Sequence, residues 1–123
     1  ALENIDIIER EGLIERVKTE TGPYLTKRLK EVVGDHCIVA EVRGFGLLAA
    51  IEIVKNKATK ERFHSDIDAA SVVRGHCIEA GMMMRAVGDT MILSPPLPWT
   101  KETIDEAAAL ALVALDKAAD ELL

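Results

Sequence analysis

The sequence predicts an α/β fold of the α+β two-layer kind, with a small, mainly antiparallel sheet and helices on one of its faces. Stretches with helical spacing of apolar residues occupy both ends of the chain and its centre, and two pairs of short β-type runs lie between them. For the order helix, strand, strand, helix, strand, strand, helix, the simplest way to bury the apolar faces is to place the helices on one side of the sheet. With 123 residues, 49% of them hydrophobic, residues 1–123 suit a single domain with one core.

The first helical stretch covers residues 2–33. Glycine interrupts it at Gly12 and again at Gly22-Pro23, and because proline disfavours helix at the residue before it, we expect a kink or break near Gly22. Gly34 suits the C-terminal end of the helix. The apolar residues of the predicted buried face are Ile5, Ile8, Leu13, Val17, Tyr24, Leu25, Leu29 and Val32.

Two β-type runs follow, at residues 38–43 and 47–54. The sequence GFG between them (44–46) favours a hairpin or a bulge, and it is too short for a dinucleotide-binding motif. Residues 55–65 are strongly charged and show no periodicity, which predicts an exposed loop.

A second helix is predicted over residues 66–80, closed by Gly81. The residues expected in its buried stripe are Ile67, Ala70, Val73 or Arg74, Cys77 and Ile78. The last helix is predicted to begin after Thr100, a good N-cap residue, with Glu102 placed to favour the helix dipole. The residues of its predicted inner face are Ile104, Ala108, Ala111, Leu115, Ala118 and Leu122.

Between these two helices lies the block GMMMRAVGDTMILSPP (81–96), the most informative part of the chain. Residues 82–86 and 90–93 read as strands joined by a GD turn (88–89), with Arg85 at the turn end of the first strand. A planar guanidinium at such a position suits a carboxylate, which it can hold with two parallel hydrogen bonds. The alternative is a surface arginine that pairs with a nearby acid, as most arginines do.

Composition excludes several classes of function. The net charge is −6 and the basic residues are spread along the chain, so we expect no nucleic-acid partner. No apolar run approaches the ~20 residues that span a bilayer, and the start lacks the features of a signal peptide, so the expected location is cytoplasmic without a membrane. Two cysteines, Cys37 and Cys77, are too few for a disulfide scaffold and are expected to be reduced and buried.

No catalytic, cofactor-binding or metal-binding residue is assigned from the patterns. His64, Asp66 and Asp68 lie close together and His76 adjoins Cys77, but neither set has a recognised ligand spacing. None of the three serines lies in a GxSxG motif, which argues against a hydrolase. Aromatic residues make up 3% of the chain, which leaves little with which to hold a planar cofactor.

Three segments resemble the class III (ω-amino acid) aminotransferases, the pyridoxal-phosphate enzymes of fold type I. NIDIIEREGL (4–13) is similar to the long helix that re-enters their C-terminal small domain. VRGFGLLAAIE (42–52) resembles the RGxGL strand pair of the family. MRAVGD (84–89) with SPP (94–96) resembles the branch that uses pyruvate with β-alanine, putrescine or other ω-amines, and together the segments extend the resemblance over essentially the whole chain.

The resemblance implies an enzyme that moves an amino group from an ω-amino acid, diamine or other amine to a keto acid such as pyruvate, with Arg85 holding the carboxylate. In that family the lysine, the aspartate and the phosphate loop that bind pyridoxal phosphate lie upstream, in a large domain. Residues 1–123 are therefore expected to be the C-terminal fragment of a longer aminotransferase, without its cofactor domain and inactive alone. The implied partners are the two substrates, the large domain and, for the full-length protein, a second subunit or more.

Two other functions stay open on the residues alone. The chain could be a free-standing regulatory module that binds a small molecule, or a dimerisation module. The free-standing module would be encoded by a reading frame of about this length, whereas the aminotransferase interpretation requires a longer one. The identity of the amine donor is not determined by the sequence.

Overall fold

The helices and strands occur in the predicted order in the computed structural model, which describes all 123 residues. A four-stranded antiparallel sheet has the strand order β1-β2-β4-β3. This confirms the predicted two-layer fold. The elements are α1 (Leu2–Arg10), α2 (Leu13–Arg16), a π-helical turn (Val17–Thr21), α3 (Gly22–Val33), β1 (Val39–Phe45), β2 (Leu48–Ile53), α4 (Ala69–Glu79), β3 (Arg85–Val87), β4 (Thr90–Leu93) and α5 (Lys101–Leu122).

The N-terminal helical stretch is interrupted at both predicted places, Gly12 and the region of Gly22. The chain leaves the helix at Gly12, whose φ of 59° lies in the left-handed region that glycine tolerates. Near Gly22 the expected break takes the form of the π-helical turn, which runs directly into α3. Pro23 is in the first turn of α3, and its ring and missing N–H group disfavour regular α-helical pairing with the turn before it, which agrees with the π-helical turn there.

Both predicted hairpins are present. Phe45 pairs with Leu48, so the first turn consists of Gly46 and Leu47, and Gly46 has a φ of 57°. In the second hairpin Arg85 is the first residue of β3 and pairs with Ile92. The prediction that Arg85 lies at the turn end of its strand is therefore wrong. The cause is that β3 begins three residues later than predicted, since the methionine run that precedes it stays outside the ladder.

Helix α4 is shorter than predicted. Asp68 caps it, its side chain accepting a hydrogen bond from the backbone N–H of Ser71 at 3.1 Å. Ile67 precedes this cap and is exposed, and Ile78 is exposed as well, so both were wrongly assigned to the buried stripe. Ile78 follows the buried Cys77 by one position, about 100° around the helix, which turns it out of the core.

The helix layer covers one face of the sheet. Helix α3 packs on β1 and β2, α4 packs on β3 and β4, and α5 lies against both α3 and α4. The buried face of α5 is rich in alanine, which allows close helix packing, and the predicted inner face is confirmed except that Leu122 is only half-buried. The buried residues of α5 are Ile104, Ala107, Ala108, Ala111, Ala114, Leu115 and Ala118.

A polar contact joins α3 to α5 at the edge of the core. The hydroxyl of Tyr24 donates to the Asp105 carboxylate at 2.6 Å, and Arg28 Nε donates to the same oxygen at 2.9 Å. The hydrogen bond from Tyr24 to this carboxylate raises the pKa of the tyrosine. A second contact joins the same two helices, since Lys101 Nζ lies 5.4 Å from the centre of the Tyr24 ring.

The two cysteines differ in environment. Cys77 is buried in α4, and burial raises the pKa of its thiol to about 11. Cys37 is exposed in the connection before β1, so the expectation that both are buried is wrong for Cys37. Both are free thiols. No helix in the chain is long and apolar enough to cross a membrane.

We expect the stability of the fold to fall as the pH rises above 6.5, because of His76. This side chain joins α4 to the end of α5: its Nε2 lies 2.8 Å from Glu121 and its Nδ1 lies 3.3 Å from Glu79. The hydrogen bond to Glu121 raises the pKa of His76 above its ordinary value of 6.5. A histidine whose pKa is higher in the folded state than in the unfolded state stabilises the fold when it is protonated. This contribution, no more than about 1 kcal/mol, is complete below the unfolded-state pKa and is lost as the pH rises past the folded-state pKa.

The measurement is urea unfolding of the chain at a series of pH values from 5.5 to about 9. His76→Gln should remove this part of the slope while leaving the unfolding cooperative. Identical slopes for the two proteins would show that His76 does not couple protonation to folding.

Candidate functional site

The site is built on the face of the sheet that the helices leave uncovered. Cross-strand partners point to the same face of an antiparallel sheet, so the register places one residue from each strand in a row. Arg43 pairs with Ala50, Ala50 with Ile92, and Ile92 with Arg85. The row therefore carries an arginine on each edge strand and apolar side chains between them. The Cα atoms of the two arginines lie three strand spacings apart, about 14 Å.

Arg85 is exposed and makes no hydrogen bond or ion pair with any residue of the chain, so the surface ion pair considered as its alternative role does not form here. Arg43 at the other end of the row is engaged, since its Nη1 lies 3.1 Å from Glu52 and 3.3 Å from Glu41. Arg62 also approaches Glu52, at 3.6 Å. Arg85 is thus the cation of this face that keeps its full donor capacity for a ligand.

The immediate surroundings of Arg85 on this face are apolar. Ile92 is its cross-strand partner, and Val87 follows two positions later on the same side of β3. Val87 is 52% exposed, and Met83, two positions before Arg85, is 83% exposed.

A shallow cavity of about 350 Å³ lies over the first hairpin and reaches Ile92 of β4, and the arginine that lines it is Arg43. Ile92 belongs both to its lining and to the row that contains Arg85. The remaining lining residues are Arg43, Gly44, Phe45, Leu48, Ala49 and Ala50. The arrangement is an apolar shelf with a free guanidinium at its edge, which suits a small molecule that carries one carboxylate.

The histidines considered as metal ligands take other roles. His64 Nδ1 lies 3.1 Å from Asp66, and both side chains are exposed to solvent. Asp68 caps α4, and His76 contacts two glutamates rather than Cys77. No group of three histidine, cysteine, aspartate or glutamate side chains is close enough to hold a metal ion.

The lysines of the chain do not fit a pyridoxal-phosphate site. Such a lysine is partly desolvated, which lowers its pKa so that it can react as a free amine. Here every lysine is exposed except Lys57, which is partly exposed and donates a hydrogen bond to the carbonyl of Gly34. None of these lysines therefore has the desolvated environment that such a reaction requires.

Comparisons with known proteins identify the family to which the chain belongs. Residues 1–114 match the model of the family described as aminotransferase class-III. The chain is 52% identical over 123 residues to putrescine–pyruvate aminotransferase of Pseudomonas aeruginosa, and 37% identical over 123 residues to diaminobutyrate–2-oxoglutarate transaminase of Halomonas elongata. These alignments cover 100% and 98% of the chain. The chain belongs to the class-III aminotransferase family.

Solved structures give the same result for the fold. A transaminase from directed evolution by ancestral reconstruction superposes with a TM-score of 0.93 at 43% identity, covering 98% of this chain and 27% of that one. A thermostable omega transaminase mutant from Pseudomonas jessenii has a TM-score of 0.86 at 32% identity, covering 98% and 26%. These neighbours are fold type I transaminases, and enzymes of the family use pyridoxal phosphate. The chain spans about 26% of the length of the two curated relatives.

Sequence reasoning found Arg85 but missed the row to which it belongs. The signal was present in the alternation of residues 85 and 87, which share one side of β3. It could not be extended to Ala50 and Arg43, because the register between β2 and β4 joins segments that are about forty residues apart.

Proposed function

We propose that this chain forms the substrate-carboxylate wall of a class-III aminotransferase that transfers an amino group from an ω-amino acid, diamine or other amine to a keto acid such as pyruvate. The observation that carries the proposal is Arg85, exposed and without a partner at the edge of an apolar shelf. The donors and acceptors named for the relatives, putrescine with pyruvate and diaminobutyrate with 2-oxoglutarate, support this substrate class.

In the keto-acid half-reaction Arg85 binds the carboxylate with two parallel N–H···O hydrogen bonds and so fixes the direction of the carbonyl carbon. Ile92, the cross-strand partner of Arg85, gives this ion pair an apolar neighbour. An amine donor without a carboxylate places a neutral or cationic chain at the same position, and Arg85 must then turn away. Two features support such mobility: no intramolecular bond holds the guanidinium, and β3, an edge strand, pairs with β4 alone.

We propose further that residues 1–123 are the C-terminal small domain of the longer enzyme, a cytoplasmic homodimer or larger assembly, and that the cofactor is held by a large domain outside this chain. The chain's coverage of about 26% of the length of its relatives supports its being one domain of a longer enzyme. The exposure of its lysines supports a cofactor site in the large domain. Pyridoxal phosphate would supply the amino-carrier chemistry, and this chain would supply orientation and selectivity.

The proposal is tested by comparing the full-length protein with the 123-residue chain. We expect the full-length protein to form alanine from pyruvate with an amine such as putrescine, and the isolated chain to form none. After incubation with pyridoxal phosphate and borohydride, the isolated chain should show no stoichiometric cofactor adduct by mass spectrometry, because all its lysines are solvated. A stoichiometric adduct at one lysine of the isolated chain, or no transfer by the full-length protein, would contradict the proposal.

A further inference from the structure

The charged segment between β2 and α4 is irregular, but hydrogen bonds and a buried side chain tie it to the rest of the fold. The carbonyl of Glu61 accepts hydrogen bonds from the backbone N–H groups of Lys55 at 2.8 Å and of Asn56 at 3.2 Å. The Asn56 side chain accepts two further backbone N–H groups within the turn, at 2.9 and 3.2 Å. Phe63 is buried in the core. The backbone on both sides of residue 62 is therefore held in place.

Arg62 extends from this segment and bridges two carboxylates with the two terminal nitrogens of its guanidinium. Its Nη1 donates a hydrogen bond to Asp89 Oδ2 at 3.4 Å, and its Nη2 lies 3.6 Å from Glu52 Oε1. Glu52 is on β2, and Arg43 holds its other oxygen at 3.1 Å. Asp89 is in the turn that joins β3 to β4. Arg62 therefore links β2 to the hairpin that carries Arg85.

Both carboxylates that Arg62 contacts are largely withdrawn from solvent. The side chain of Asp89 is 28% exposed and that of Glu52 is 25% exposed. Arg62 is the only cation of the chain within ion-pair distance of Asp89, whereas Glu52 has Arg43 as a second partner. A mostly buried acid that loses its only cation is left with an unbalanced charge, and this costs more than the pair itself contributes. Loss of Arg62 therefore drives the Asp89 side chain toward solvent.

The strand that carries Arg85 depends on this turn for its position. β3 has three residues, lies at the edge of the sheet and pairs with β4 alone. The backbone of the turn is held to β2, because the carbonyl of Asp89 accepts the N–H group of Ile53 at 2.7 Å. The side chain of Asp89 is held by Arg62 alone. A movement of this turn is passed along three residues of β3 to Arg85, since no strand on the outer side resists it.

We infer that Arg62 is a positioning residue that acts on Arg85 through the second hairpin. By bridging Glu52 and Asp89, it holds this hairpin in the orientation in which the Arg85 guanidinium meets a substrate carboxylate. The inference rests on the proposed carboxylate role of Arg85, and it gives Arg62 no contact with the substrate. A guanidinium displaced by about 1 Å no longer forms both parallel hydrogen bonds, so the loss falls on the keto-acid half-reaction. An amine without a carboxylate does not use these bonds.

The test uses the full-length protein and follows the two half-reactions separately by the absorbance of the cofactor. Arg62→Ala should raise KM for pyruvate about three- to tenfold, with a smaller change in kcat, because the carboxylate is bound in the ground state as well as in the transition state. The half-reaction with an amine that lacks a carboxylate should stay unchanged. Arg62→Lys should recover part of the loss, since an ammonium can reach either carboxylate but cannot bridge both. Thermal unfolding shows that each variant is folded.

Two double variants show whether the effect passes through Asp89 and Arg85. Asp89→Asn removes the buried charge and keeps a residue suited to a turn, so Arg62→Ala should add little loss in its presence. In the Arg85→Ala protein, Arg62→Ala should add no loss for pyruvate. The matched control is Lys55→Ala, which breaks a 3.2 Å ion pair with Glu61 in the same segment without touching the hairpin. It should leave KM for pyruvate unchanged.

The outcomes separate this inference from the proposed function. If Arg85→Ala shows its expected loss for pyruvate while Arg62→Ala behaves like Lys55→Ala, the inference is overturned and the proposed function stands. Equal losses in the two half-reactions, or an Arg62→Ala loss that persists in the Arg85→Ala protein, would also overturn it, because Arg62 would then be part of the scaffold. If Arg85→Ala leaves the use of pyruvate unchanged, the proposed function fails and this inference fails with it.

Discussion

Arg85→Ala in the full-length protein is expected to lower kcat/KM for pyruvate about a hundredfold, while the half-reaction with an amine that lacks a carboxylate changes little. Loss of a charge-assisted bidentate pair costs about 2–3 kcal/mol of transition-state stabilisation. Since Arg85 has no partner within the chain, the substitution removes no internal contact that would unfold the domain. Both half-reactions are followed separately by the absorbance of the cofactor, alongside thermal unfolding.

Two variants sharpen this result. Arg85→Lys should recover only part of the loss, because an ammonium keeps the charge but cannot form the two parallel hydrogen bonds. Arg74→Ala is the matched control, since Arg74 is also exposed and unpaired but lies on α4 in the helix layer. Equal losses in the two half-reactions, together with a lower Tm, would identify Arg85 as part of the scaffold rather than a substrate contact.

Gly22→Ala is expected to destabilise the chain by about 2–3 kcal/mol. A Cβ atom at this position would lie 2.4 Å from the carbonyl oxygen of Val17 and 2.9 Å from the Cα of Gly46. Both neighbours are backbone, so neither can yield as the end of a side chain would. The π-helical turn and the first hairpin would have to separate.

The control for this prediction is Gly75→Ala. Gly75 lies inside α4, and a Cβ there meets nothing within 4 Å. Alanine should therefore stabilise the helix by about 0.5–1 kcal/mol. Denaturant unfolding of the 123-residue chain measures both. If Gly22→Ala is as stable as the unmodified chain, the close approach to Gly46 does not hold in solution.

The element order and most of the local geometry could be predicted from the sequence. Thr100 caps α5, accepting a hydrogen bond from the backbone N–H of Thr103, and Gly88 forms the second hairpin turn with a φ of 57°. Each of these features depends on residues a few positions apart, and there the side-chain chemistry of the segment decides the outcome. The family resemblance was also a property of local motifs, and the comparisons confirm it.

The site could be predicted only in part. A single arginine that follows a run of methionines was recognisable in the sequence. Whether it has an ion-pair partner depends on where the acidic residues lie in the folded chain, and Glu41 and Glu52 pair with Arg43 instead. Its position at the start of β3 depends on the pairing with β4, which determines how far the strand extends. A pattern of residue types carries no information on such distances.

What the sequence by itself determined is therefore the set of helices, strands and turns, the family, and one arginine suited to a carboxylate. Only the tertiary structure decided the row in which Arg85 lies, the exposure of Cys37 and Ile78, and the contact of Gly22 with Gly46. The physical reason is that backbone propensity acts over one or two turns of chain, whereas these features arise where segments far apart in the sequence pack together. In the sequence Gly22 indicates only an interruption of a helix; in the folded chain it is the point at which that helix meets a strand turn.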